Sequence, residues 1–529
     1  MKSLLRSPDR VSVISQDVLV PAMPSGTLWS FAGGEIRFAP VPPASGNQSV
    51  WEVLVYAASM PLQAIQLRWL QPITPGTWFL GDHWERAYGD LEWRGIVPDR
   101  VMPWYFLASN GKDTYACGVQ TGPGALCFWQ SDQQGIRLVL DVRCGGQDVI
   151  LGERLLSAAR VVERFSQPDE TPFAAACAFT RLLCPDPLLA DEPAYGANDY
   201  YYAYCENTQE GIVRDSVTIA ELSPNPTNRP YSVVDAGWQW GGEAYGAPWQ
   251  LGNERFPDMP KLAREIKAAG ARPGIWFRPL LTTESVPDHW VLSESRFNIQ
   301  REFGFYLDPS LPDVLERVCQ DVARFKEWGY ELIKHDYTTF DLLGRWGMQM
   351  GAAITNPTWR FSDHSLTTAE VIRNLYKRIH EAADDMVIIA CNTIGHLAAG
   401  TAHLQRVGDD TSGKEWARTL KMGVNALAFR LPQHNALFAI DADCVGVTER
   451  IPWALNRQWL DLLSRSGTPL FLSLDPASLN AEKKATLREA LERAATPLPI
   501  AEPLDWMQTT HPAHWQFGKE TRQYEWFLD

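Results

Sequence analysis

Two stretches of the chain carry residues whose types and spacing suit bond-breaking chemistry. Residues 331–340 read Glu-Leu-Ile-Lys-His-Asp-Tyr-Thr-Thr-Phe, a short apolar run that ends in Lys334, skips a position and reaches Asp336. Alternation along a strand puts Lys334 and Asp336 on one face. The second stretch, Arg406-Val-Gly-Asp-Asp410, sets an arginine ahead of an aspartate doublet. Two carboxylates facing each other across a pocket are the minimum equipment for cleaving a glycosidic bond. One attacks the anomeric carbon and the other protonates the leaving oxygen, roughly 5–5.5 Å apart when configuration is retained. A lysine beside the attacking group keeps it ionised and can donate to a sugar hydroxyl. An arginine beside the acid orients it but lowers its pKa, so the acid needs partial burial or a neighbouring anion, which the Asp409–Asp410 doublet supplies. The competing role for any single aspartate at such a place, Asp410 and Asp443 included, is that of a helix N-cap.

These residues need elements that bring them together. Short apolar segments at 200–204, 231–234, 273–277, 331–335, 386–391, 404–407, 436–440 and 469–474 read as strands. Helical patterns lie between them. Ser310-Leu-Pro-Asp313 opens a helix whose buried stripe is Val314, Val318, Val322 and Phe325, and Gly329 ends it. Thr367 and Glu370 form a capping box, and Gly270 and Gly467 close two further helices. Eight strands, each followed by a mostly helical connection, fit a (β/α)8 TIM barrel. A doubly wound open sheet competes, but the first strand is not followed by the GxGxxG turn of its dinucleotide-binding form. In a barrel the catalytic groups gather where strands end. The exits are Asp235-Ala-Gly-Trp238, Trp276-Phe-Arg-Pro279, Lys334-His-Asp336, Cys391-Asn392, Arg406 to Asp410, and Asp441-Ala-Asp443.

The flanking regions read differently. Segments 50–57, 64–70, 115–121, 125–130 and 135–142 are short, β-branched or aromatic, and separated by Gly, Pro and Asn, as in a β-sandwich. The aromatic and charged stretch 81–93 is read either as a loop reaching a neighbouring domain or as a strand pair with a polar face. The Pro- and acid-rich segment around 185–193 reads as a linker. The expected architecture is multidomain, with an N-terminal β-sandwich over 1–190 and a central (β/α)8 barrel over 191–478. A C-terminal helix and small β-domain follow over 479–529.

Composition narrows the partners. A formal net charge of −15 argues against nucleic acid or an anionic membrane surface. No apolar run of about 18 residues would span a bilayer, and residues 1–10 show no secretory h-region, so a cytoplasmic location is expected. Nine scattered cysteines without a CxxC pair suit a reducing compartment and give no metal signature. A metal-dependent barrel hydrolase would need histidines paired at a strand end. His335, His380, His396 and His403 form no HxH pair, so no metal and no cofactor are expected. The 22 tryptophans suit stacking on sugar rings, though a large aromatic core explains them equally.

Taken together, Asp-x-Gly-Trp on the second strand, Lys-x-Asp on the fourth and Arg-x-x-Asp-Asp on the sixth resemble clan D α-glycosidases. The closest likeness is to glycoside hydrolase family 36, the α-galactosidase and raffinose-synthase group. The resemblance covers about residues 195–475, and Ala439-Ile-Asp-Ala-Asp-Cys444 is similar to the segment after that family's seventh strand. It implies a retaining α-glycosidase with Asp336 as nucleophile and Asp409 as acid/base. Lys334 and Asp235 would bind sugar hydroxyls, and Arg406 would sit beside the acid doublet with Asp410. Trp238 or Trp276 would line the pocket, and Cys391 would lie near a hydroxyl. The implied partner is an oligosaccharide or glycoside, and a homo-oligomer is compatible with the family. Two departures stand out. Asp235-Ala236 replaces an aspartate pair, and Arg278 replaces the glutamate of Trp-Phe-Glu-Pro, which would favour a substrate carrying a carboxylate, sulfate or phosphate. The strand-four pair also continues as Tyr337-Thr-Thr rather than in the common way. α-Galactoside hydrolysis is the first expectation. Cleavage of an N-acetylated or anionic α-glycoside, transfer to an acceptor sugar, and sugar binding on an inactive barrel are the alternatives.

Overall fold

The computed structural model describes residues 1–42, 49–223, 225, 227–240, 246, 248–297 and 304–527. Two antiparallel sheets form the N-terminal part. One has six strands, running from Val18–Pro21 at one edge to Met102–Pro103 at the other; the second has eight, from Met23–Ser25 to Trp78–Gly81. Alternating burial along Arg10–Ser15 and Val50–Ala57 follows from the pleat, which sends every second side chain inward. The two inner faces meet through aromatic pairs. Phe38 contacts Trp69 at 5.8 Å and Phe106 contacts Trp129 at 5.4 Å between ring centroids.

Beyond residue 194 the order becomes strand then helix. The strands Tyr195–Asn198, Tyr231–Val234, Arg272–Phe277, Leu332–His335, Val387–Ala390, Leu404–Arg406, Ala439–Asp441, Val445–Val447 and Leu470–Leu474 form one nine-stranded parallel sheet. Most are buried at every position, as expected when a sheet is covered on both faces. The strand Ala439–Asp441 pairs with Leu404–Arg406, and Val445–Val447 pairs with Leu470–Leu474. The two edges of the sheet are thus successive in the chain, joined by residues 442–444. The strand expected at 436–440 forms later, at Ala439–Asp441, and Asp443, with a left-handed φ of 76°, lies between it and Val445–Val447.

The expected first strand at 200–204 is corrected. The strand is Tyr195–Asn198, and residues Tyr200–Ala203 form a helical turn. The aromatic run has strand-like composition, but the ladder forms earlier, where Gly196 passes so close to Tyr231 that a Cβ would lie 2.1 Å from its carbonyl oxygen.

Helix punctuation follows the sequence with one exception. Thr367 and Glu370 make both bonds of a capping box, and Gly270, Gly329 and Gly467 take left-handed φ values. The helix Pro312–Glu327 starts on Leu311 without a side-chain cap, so Ser310 does not serve as one. Its stripe Val314, Val318, Val322 and Phe325 is fully buried. After the helix Ala481–Ala494, the strands Glu502–Pro503, His514–Phe517 and Glu520–Gln523 form a small sheet. Trp506 from this part packs against Trp93 and Phe173 of the N-terminal region.

Candidate active site

A cavity of about 250 Å³ opens where the parallel strands end. Asp235, Trp276, Lys334, Asp336, Asp409 and Asp410 line it, together with Asn198, Tyr200, Tyr201, Tyr337, Arg86 and Arg418 among others. Six of the expected site residues therefore share one space.

On one wall, Leu332–His335 carries Lys334 and delivers Asp336 just past its end. The backbone N–H of Asp336 still donates to Phe277 O at 3.1 Å, extending the ladder by one residue. The next residue, Tyr337, takes φ 63° and ψ 1°, a left-handed conformation that costs a side-chain-bearing residue about 1–2 kcal/mol. The Tyr337 N–H donates to Asp336 Oδ1 at 2.7 Å, and Trp276 Nε1 donates to Asp336 Oδ2 at 3.2 Å. Both oxygens of Asp336 are thus fixed by neutral donors.

Lys334 Nζ donates to Asp235 Oδ2 at 2.7 Å. Burial alone would lower the ammonium's pKa, but the charge of Asp235, with Cys391 and Asp336 adding to it, holds it well above the usual value. Asp235 also accepts from Asn198 Nδ2 at 2.5 Å, and its own N–H donates to Asp199 Oδ1 at 2.9 Å. Burial, followed by the charge of Asp235, pushes the Asp199 carboxyl up to about 7.

Cations surround the aspartate doublet in the same cavity. Asp409 Oδ1 meets Arg86 at 3.2 Å and its Oδ2 accepts from Arg418 at 3.0 Å. Asp410 Oδ1 accepts from Arg406 at 3.0 Å and faces Arg86 at 3.7 Å, whereas its Oδ2 takes no partner among the described residues. The Asp410 side chain is 43% exposed against 19% for Asp409. Burial works to raise the Asp410 carboxyl, but Arg406, then Arg86, Lys334 and Arg418, hold it below its ordinary value.

Arg86 reaches the doublet from the N-terminal part. The 81–93 stretch does extend to the neighbouring part of the chain: Ala87 N–H donates to Val407 O at 2.8 Å and Asp409 N–H to Ala87 O at 2.9 Å. Buried Glu85 anchors the loop. Its oxygens take Arg86 Nε at 2.6 Å, Asn392 Nδ2 at 2.5 Å, Tyr88 OH at 2.7 Å and Gly347 N at 2.7 Å.

Four expected residues do not line the cavity. Arg278 is fully buried and pairs with the equally buried Asp341 through Nη2 at 2.6 Å, with Nε at 3.0 Å from the second oxygen. A guanidinium so neutralised offers no charge to a ligand, which removes the basis for expecting an anionic substrate. Trp238 is wholly buried, donating from Nε1 to Trp276 O at 2.8 Å and packing on Trp249. Cys391 is buried against Arg406 Nη1 at 3.9 Å, and burial raises its thiol pKa. Arg406 is buried too, held by Asp443 and by Tyr201 OH, so it supports Asp410 rather than Asp409.

Arg86, Asn198, Asp199, Tyr201, Tyr337 and Arg418 were not among the expected site residues. The register of the first strand would have pointed to Asn198, Asp199 and Tyr201, since Asn198 ends that strand and the other two follow it. Among the described residues no group of three or more His, Cys, Asp or Glu could hold a metal ion, and no helix is long and apolar enough to cross a membrane.

No family model matches the chain, and no curated protein matches it. Solved structures do. The α-galactosidase TtGalA from Thermus thermophilus, in complex with p-nitrophenyl α-D-galactopyranoside, is 19% identical with a TM-score of 0.63, over 98% of this chain and 99% of that one. A variant of the family 36 α-galactosidase AgaA from Geobacillus stearothermophilus, in complex with 1-deoxygalactonojirimycin, is 14% identical with a TM-score of 0.62. That match covers 94% of this chain and 72% of the other. The galactosidase domain of the α-galactosidase–sucrose kinase AgaSK gives 13% and 0.60, over 90% and 68%. At such identities the likeness establishes a shared fold, that of the glycoside hydrolase family 36 α-galactosidases.

Proposed function

We propose that this chain, which has the fold of family 36 α-galactosidases, is a retaining α-glycoside hydrolase acting on α-galactosides. The nine-stranded sheet is read as a (β/α)8 barrel whose seventh strand is split at Asp443. The observation that carries the proposal is one cavity lined by Asp336, Asp409 and Asp410 together.

Asp336 attacks the anomeric carbon, and a carboxyl of the Asp409–Asp410 doublet protonates the leaving oxygen; water then hydrolyses the glycosyl-enzyme with that carboxylate as base. Tyr337 N–H and Trp276 Nε1 orient the attacking group. Lys334 stays cationic and has N–H bonds beyond the one spent on Asp235 for sugar hydroxyls. Asp235 accepts from a hydroxyl beside it. Asp410 is better suited than Asp409 to be the donor, because its Oδ2 is unengaged while both Asp409 oxygens face guanidinium groups. Substrate chemistry remains that of a neutral sugar, since Arg278 is compensated by Asp341.

Asp336→Asn is expected to lower turnover of an aryl α-galactoside by on the order of 10⁴-fold or more. Asp336→Gly with azide should regain turnover and release the β-galactosyl azide. Near-wild-type activity in Asp336→Asn would rule the assignment out.

A further inference from the structure

Arg278 and Tyr337, two points where this chain departs from the pattern it resembles, touch each other. The Arg278 guanidinium lies 4.0 Å from the Tyr337 ring centroid. We infer that Arg278, Tyr337 and Asp341 form one positioning unit for the Asp336 carboxylate; this rests on the reading of Asp336 as nucleophile.

The contacts make a closed circuit. Tyr337 N–H holds Asp336 Oδ1 at 2.7 Å. Its carbonyl accepts from Asp341 N at 2.8 Å, starting the helix Thr338–Leu343. Asp341, on that helix, binds Arg278 through both carboxylate oxygens, and Arg278 returns to the Tyr337 ring. Arg278 sits two residues beyond Trp276, the donor to Asp336 Oδ2. The exit of strand three thus reaches both oxygens, Oδ2 directly and Oδ1 through Tyr337.

The backbone conformation says what the ring is for. The left-handed φ of 63° at Tyr337 turns the chain from Asp336 straight into the helix Thr338–Leu343, so the peptide whose N–H holds Asp336 Oδ1 is tied to that helix through an angle that glycine favours. Glycine would adopt that angle freely, whereas a side-chain-bearing residue resists it. An aromatic ring here therefore needs a compensating contact, and the planar guanidinium supplies one by stacking. Arg278 thereby acts on the reaction through geometry. A carboxylate set about 1 Å off its line of attack loses on the order of 10²-fold in rate.

The test separates ring from backbone by comparing Tyr337→Phe, Tyr337→Gly and Tyr337→Ala on p-nitrophenyl α-D-galactopyranoside, with kcat, KM and the unfolding temperature measured for each. Phenylalanine keeps the stack and should retain about half or more of kcat. Glycine and alanine both lose the ring and should raise KM alike, but alanine should fall about tenfold below glycine in kcat, because only glycine takes the left-handed angle freely. A double-mutant cycle adds a second reading. Arg278→Lys keeps a charge for Asp341 but loses the planar stack, so it should lower kcat about tenfold in the wild type and not at all on Tyr337→Gly. Equal kcat for glycine and alanine, phenylalanine as slow as alanine, or additive effects in the cycle would each overturn the inference. Asp336→Asn on the same substrate keeps the two readings apart. If it stays active, the nucleophile assignment fails; if it is inactive while glycine equals alanine, only the positioning unit fails.

Discussion

The wall formed by strands three and four holds Asp336 with a main-chain N–H and an indole N–H. The wall formed after strand six holds Asp409 and Asp410 with Arg86, Arg406 and Arg418. The first arrangement fixes the direction of both carboxylate oxygens with neutral donors. The second surrounds an aspartate pair with three guanidinium groups. A nucleophile needs a defined line of approach, whereas a group that gives up and regains a proton needs a tuned field. The first wall is local in sequence, within residues 276–341. The second draws Arg86 from the N-terminal part, so in the proposed mechanism proton transfer would depend on how two parts of the chain are joined.

The largest expected break of this contrast is at the doublet. Asp410→Asn should lower kcat/KM for an unactivated α-galactoside by roughly 10²–10⁴-fold, and by much less for an aryl galactoside that departs without help. Asp409→Asn should show a smaller loss with little dependence on the leaving group. The reverse pattern, read from kinetics on the two substrates, would return the proton-donor role to Asp409.

A middle-sized effect is expected at the joint between the two parts. Arg86→Gln should lower kcat/KM by about tenfold, as for a misplaced partner in a preorganised site. It removes one of the cations that hold Asp410 down. The donor must be protonated, so the alkaline limb of the pH–rate profile should move to higher pH. An unmoved limb would mean that Arg86 supports the loop and nothing more.

The smallest effect concerns the buried carboxyls behind Asp235. Burial raises Asp199 from 3.8 to about 7, and Asp215 to about 6. A carboxyl whose folded pKa lies above its unfolded value binds its proton more tightly when folded. Stability contributed by these groups is therefore present at low pH and lost as pH rises through the interval up to about 7. Asp199→Asn should flatten the fall in unfolding temperature across that interval by on the order of a few °C. An unchanged slope would show that Asp199 carries no such coupling.

Much of this was legible in the chain. Buried parallel strands are near-continuous apolar runs, so 231–234, 273–277, 331–335 and 469–474 announced themselves, and the polar residues at their ends followed by rule. Lys334, Asp336 and the Arg406–Asp410 run could be found because each group sits on one strand and its exit. Tyr200 and Tyr201 were read as a strand because an aromatic run resembles one until its neighbours are known. Arg278 was read as a free cation because its counter-ion, Asp341, lies on the helix after a different strand.

The sequence by itself determined the residue types at the strand ends, the alternation of strands and helices, and the two stretches that carry Asp336 and the Asp409–Asp410 doublet. Period and punctuation are local, and local order is written along the chain. The tertiary structure alone decided which charges are compensated. It buried Arg278 against Asp341, buried Trp238 and Cys391 away from the cavity lining, brought Arg86 to the aspartate doublet and separated Ala439–Asp441 from Val445–Val447 at Asp443. Each of these outcomes depends on burial and on partners distant in sequence, and electrostatic free energy follows distance in space and local dielectric, neither of which is fixed until the chain has folded.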